Sequence, residues 1–135
     1  MTTIVTRERT MTASSLAAAL QACASGIYTH EAGVGLLIAN QAFLCRDDFT
    51  SRFITCDTAA AMAVIDWAAA IAALNTGELP CSGGEQRILR LAASLADGIP
   101  VSLSDAITGL DDRNTERLLS AIRQASGNGR KPDLI

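Results

Sequence analysis

An all-α fold, a compact bundle of five to seven short helices, is what this sequence predicts. Twenty-four of its 135 residues are alanine and only 4% are aromatic, which favours closely packed helices over sheet because alanine has high helix propensity and little strand preference. Apolar residues recur at spacings of three and four, and glycine, proline and serine punctuate the runs. With 49% hydrophobic residues and a mean hydropathy of +0.25, a chain of this length can bury one real core.

Residues 1–11, polar and rich in threonine and arginine, read as a flexible segment ahead of a single helical domain over 12–127. The first helix runs from about Ala13 to Ala24 and places Leu16, Leu20, Cys23 and Ile27 on one face. Arg7 and Arg9 ahead of Leu20-Gln21-Ala22-Cys23 faintly resemble a bacterial lipoprotein cleavage box, but Thr12, Ser14, Ser15 and Gln21 dilute the run, so a core-packing helix is the stronger reading. After Ser25-Gly26 a second helix, from about Thr29 to Leu44, turns Val34, Leu37, Ile38 and Leu44 inward. Gly33 and Gly35 weaken its interior by about 1 kcal/mol each relative to alanine, so they mark places where another helix approaches closely.

Arg46 to Ile54 reads as a charged connector with a turn or two of helix capped by Asp47 and held by Phe49, Phe53 and Ile54. Ala59 to Leu74 reads as a buried helical region in which Asp66 caps a helix from Trp67 to Leu74; Asp66 interrupts the run, so it is no membrane span. Asn75-Thr76-Gly77 stops that helix, and Glu78-Leu79-Pro80 joins an N-terminal part, 12–77, to a C-terminal part, 81–127.

The C-terminal part is the most legible. Ser82-Gly83-Gly84-Glu85 is a capping-box signature, followed by Ile88, Leu91, Ala92 and Leu95 on one face. Gly98-Ile99-Pro100 ends that helix, Ser102 or Ser104 caps a short one through Ile107, and Gly109 ends it. Asp111 or Asp112 caps the last helix, with Thr115, Leu118, Leu119, Ile122 and Ala125 sharing a face before Gly127. Residues 128–135 read as a flexible tail. No internal repeat is evident.

These three helices resemble a helix-turn-helix unit, whose last helix would present Arg113, Asn114 and Arg117 to DNA. Phosphate binding demands a positive face, however, whereas the chain carries a net charge of -3 and a pI near 5.0. Ser82 to Arg87 with Leu91-Ala92, and Gly109-Leu110-Asp111, resemble the signature loop and D-loop of ABC-type ATPases. No Gly-x-x-x-x-Gly-Lys-Ser/Thr loop accompanies them, and the only lysine is Lys131. The capping box accounts for the likeness.

Cys23, Cys45, Cys56 and Cys81 form no C-x-x-C pair, and His30 is the single histidine; the thiols read as structural, and no metal or cofactor is expected. Cys81, just ahead of a helix start and near Arg87, is the one candidate for a lowered thiol pKa, as the centre of a small enzyme. Leu37-Ile38-Ala39, Arg46 to Phe49, Asp66-Trp67, Leu91 to Ala96 and Gly109 to Asn114 together resemble small uncharacterised proteins of high-GC actinobacteria. That resemblance implies a bacterial, cytoplasmic setting and carries no activity.

The expectation is therefore a non-enzymatic helical protein acting through protein contacts or self-association as a homodimer, without a membrane anchor. Its candidate interaction surface is the polar face of the last helix, Arg113, Asn114, Arg117, Ser120 and Arg123. The second reading is a DNA-binding regulator that uses the same face.

Overall fold

The computed structural model describes residues 12–127; the segments 1–11 and 128–135, expected to be flexible, lie outside the described residues. Among these residues, seven α-helices and a two-stranded antiparallel sheet appear in the order α1 (Ala13–Ala24), α2 (Tyr28–Asn40), a 3-10 turn (Phe43–Cys45), α3 (Asp47–Phe53), β1 (Ile54–Asp57), β2 (Met62–Ile65), α4 (Trp67–Thr76), α5 (Gly83–Asp97), α6 (Leu103–Ile107) and α7 (Asp112–Ala125). The fold is thus mostly helical but not purely all-α.

The hairpin corrects the expected helical region over 59–74. Ile54 pairs with Ile65, Thr55 with Val64, Cys56 with Ala63 and Asp57 with Met62. Its turn is set locally: the Asp57 carboxylate accepts from the Ala60 N–H at 3.2 Å, and Ala61 takes a left-handed φ of 56°. Ala63 and Ile65 of β2 point into the core, where α1 packs on them, while Val64 faces out. Only from Asp66 does the chain become helical, its carboxylate accepting from the Ala69 N–H at 3.1 Å as an N-cap.

Other boundaries shift for equally local reasons. Helix α2 stops at Asn40, four residues short of expectation, because Gln41 adopts a left-handed φ of 72°. Arg46, not Asp47, occupies the N-cap position of α3, without a side-chain cap bond. The Phe43, Phe49 and Phe53 rings pack tilted against one another in series, centroids 5.0 and 5.4 Å apart, all buried, so the charged connector is held as expected by its phenylalanines. On α1, Leu16 and Leu20 are buried as expected, but Ile27, beyond the helix end, is exposed.

Helix α2 joins the two parts of the chain, since it packs against both α5 and α7. Contact with α5 is close enough to require glycine: a Cβ on Gly33 would stand 2.5 Å from the Ala92 carbonyl oxygen and 2.6 Å from the Ala96 Cβ. At Gly35 the nearest atom would be Gln124 Oε1 at 3.8 Å, so close approach explains one glycine and not the other. Helix α5 carries the full capping box, Ser82 Oγ accepting from the Glu85 N–H and Glu85 Oε1 from the Ser82 N–H. No helix among the described residues is long and apolar enough to cross a membrane.

Candidate interaction surface

Helix α7 starts where its sequence says it should. The Asp111 carboxylate accepts from the Asn114 N–H at 2.8 Å, and the Thr115 hydroxyl donates to the Asp111 carbonyl at 2.8 Å. One turn of α7 after another then faces α2 through Asn114, Leu118 and Ala121, which are buried. Two polar clamps fix this contact. Near the start of α7, Asn40 Nδ2 donates to Asn114 Oδ1 at 3.3 Å; near its end, Gln124 Nε2 donates to Glu31 Oε1 at 3.3 Å. The helices therefore run antiparallel, and α7 leans on α2 rather than on α5 or α6.

The five candidate residues divide. Arg113, Ser120 and Arg123 are exposed; Arg117 is half-buried and donates from Nη1 to Asn114 Oδ1 at 3.1 Å. Asn114 itself is 9% exposed and serves as the shared acceptor for Arg117 and Asn40, so it belongs to the α2 contact, not to the surface. Arg117, Ser120 and Arg123 line, with Ala32, Gly35 and Leu36 of α2, an open groove of about 650 Å³. Arg113 and Arg123 form no ion pair among the described residues.

Leu119 and Ile122 are the surface residues that sequence reasoning missed. Expected in the core, they are 51% and 45% exposed. The apolar stripe Thr115, Leu118, Leu119, Ile122 and Ala125 is wider than one neighbouring helix covers, and its breadth was the available signal. At the far end of α7, Tyr28 lies against Gly127, where a Cβ would stand 3.2 Å from the ring.

A second polar cluster surrounds Cys81. Arg46 is bidentate to Asp48, Nε to Oδ1 at 2.9 Å and Nη2 to Oδ2 at 2.6 Å, while its Nη1 donates to Cys81 Sγ at 3.6 Å and lies 4.0 Å from Glu85 Oε1. The hydrogen bonds from Arg46 hold the Asp48 carboxyl below its ordinary value, and the same bonds raise the guanidinium's. Burial pushes the Cys81 thiol up, outweighing the nearby cation. The expected lowering of this thiol is thus reversed, and the arginine beside it is Arg46; Arg87 instead folds against Gly83 and Gly109. The lone His30 forms no metal cluster with the cysteines or carboxylates among the described residues.

No protein-family model, curated protein or solved structure matches this chain.

Proposed function

We propose that this chain is a small non-enzymatic helical protein that acts through protein–protein contacts made by the outward face of α7, in a regulatory role. One observation carries the reading: Leu119 and Ile122, neighbours on the helix surface, stand 51% and 45% exposed beside Glu116 and Arg123, which form no ion pair among the described residues. Adjacent large apolar side chains rimmed by charge are the composition of an interface that desolvates its centre and keeps its rim wet. The resemblance to actinobacterial proteins adds a bacterial, cytoplasmic setting to this proposal.

A helix-turn-helix regulator is the second reading. The order of α5, α6 and α7, with Gly109 between the last two and Arg113 exposed on the first turn of α7, favours it. Against it stand the net charge of -3 and the engagement of Asn114 and Arg117 with each other and with Asn40, which leaves one of three reading residues free.

Retention of fragmented genomic DNA by the purified protein at two salt concentrations separates the two. The protein-contact reading expects no sequence enrichment at either salt. Reproducible enrichment that weakens as salt rises, and is abolished by Arg113→Glu, would replace it with the DNA reading.

A further inference from the structure

We propose that the partner of α7 is the α7 of a second copy of this chain, packed antiparallel about a two-fold axis beside Leu119. This deepens the protein-contact reading and rests on it. The order of side chains along the outward face points to it. Glu116 lies toward the start of the helix, Leu119 in the middle and Arg123 toward the end, and all three are exposed. Neither Glu116 nor Arg123 forms an ion pair among the described residues.

Glu116 and Arg123 are seven residues apart, two helical turns or about 10.5 Å along the axis, so they lie on one edge of the face. The midpoint between them falls next to Leu119. When two helices pair antiparallel about a two-fold axis perpendicular to both, like edges meet, and the interface is self-complementary. With the axis beside Leu119, Glu116 of each copy meets Arg123 of the other, giving two equivalent ion pairs. The Leu119 side chains then meet at the centre. Ile122, on the opposite edge, lies about 3 Å along the axis from the partner's Thr115. A parallel pair brings opposite edges together and leaves both charges unmatched. The face is therefore apolar at its centre and charge-complementary to itself in one orientation.

A single helix pair buries less than the roughly 800 Å² per partner of a standard interface, so the association is weak, with a dissociation constant on the order of 10–100 µM. Sedimentation equilibrium over about 5–500 µM spans that range. The wild type is expected to follow a monomer–dimer equilibrium. Arg123→Glu and Glu116→Arg, each setting like charges opposite one another, weaken it by about tenfold or more. The double variant Glu116→Arg/Arg123→Glu restores the pairs with signs exchanged and recovers affinity to within about threefold of wild type. Both positions are exposed, and circular dichroism checks that each variant is folded.

Three results would each overturn the proposal: a wild type that stays monomeric throughout, a dimer indifferent to both single reversals, or a double variant as weak as the singles. None of these decides the protein-contact reading itself, since a monomer can still present the same face to a different protein; DNA retention tests that reading separately.

Discussion

Alanine substitution at Gly33 and at Gly35, two residues apart on α2, should move stability in opposite directions. At Gly33 the new Cβ meets the Ala92 carbonyl oxygen at 2.5 Å, the Ala96 Cβ at 2.6 Å and the Ala96 nitrogen at 2.8 Å. Two of these are backbone atoms of α5, which cannot swing aside, so α2 and α5 must separate. Overpacking of this kind costs typically 1–3 kcal/mol, and a rigid obstacle argues for about 3. Alanine's helix propensity returns about 1 kcal/mol, leaving a net loss of about 2. At Gly35 the Cβ finds only Gln124 Oε1, at 3.8 Å, an ordinary contact. There the propensity gain stands alone, a stabilisation of up to about 1 kcal/mol. In a domain of this size 1 kcal/mol moves Tm by about 4 °C, so thermal melts followed by circular dichroism should place Gly33→Ala about 8 °C below wild type and Gly35→Ala slightly above it. A neutral or stabilising Gly33→Ala would refute the close approach of α2 and α5.

Other consequences are equally open to measurement. Cys81, its thiol pushed up by burial, should alkylate with iodoacetamide at neutral pH more slowly than the exposed Cys45. Arg46→Gln, which removes the nearby cation but leaves the burial, should raise the Cys81 thiol further, shown by the pH dependence of its labelling. Trp67 is buried, and its Nε1 finds no acceptor among the described residues. Trp67→Phe therefore also removes an unsatisfied donor and should lose less than about 1.5 kcal/mol in urea unfolding, far below the 3–5 typical of truncation to alanine. Asp48 is held below its ordinary 3.8 by Arg46, so the pair stabilises the fold above that pH and loses its effect as pH falls through the lower folded value. Because Asp48 is half exposed, Asp48→Asn should cost only a few tenths of a kcal/mol at pH 7. That difference from wild type should shrink as pH falls through the lowered folded value of Asp48.

Where local chemistry decided the structure, the sequence was readable. The Ser82/Glu85 capping box, the Asp66 and Asp111 caps and the Gly98 stop each act within one turn of chain, and α5, α4 and α7 start or end at them. The hairpin was not readable because its residues send two messages. Ile54-Thr55 and Val64-Ile65 are β-branched, but Ala59, Ala60, Ala61 and Ala63 carry strong helix propensity. Pairing across the hairpin and burial of Ala63 and Ile65 under α1 overrode that propensity, and no window of sequence contains α1. Which residues of the last helix stay exposed was unreadable for the same reason. Periodicity identified the α7 stripe, but only the position of α2 decides that Asn114 turns inward while Leu119 and Ile122 stay out.

The central claim, that the outward face of α7 makes protein contacts, is tested most directly by amide chemical shifts recorded on dilution of the ¹⁵N-labelled protein. Concentration-dependent shifts centred on Thr115, Glu116, Leu119, Ile122 and Arg123, with Ala32, Gly35 and Leu36 of the α2 groove unmoved, are the predicted result. Shifts confined to the α2 residues of the groove, Ala32, Gly35 and Leu36, or none over a hundredfold dilution together with salt-sensitive enrichment of particular DNA sequences, would contradict it.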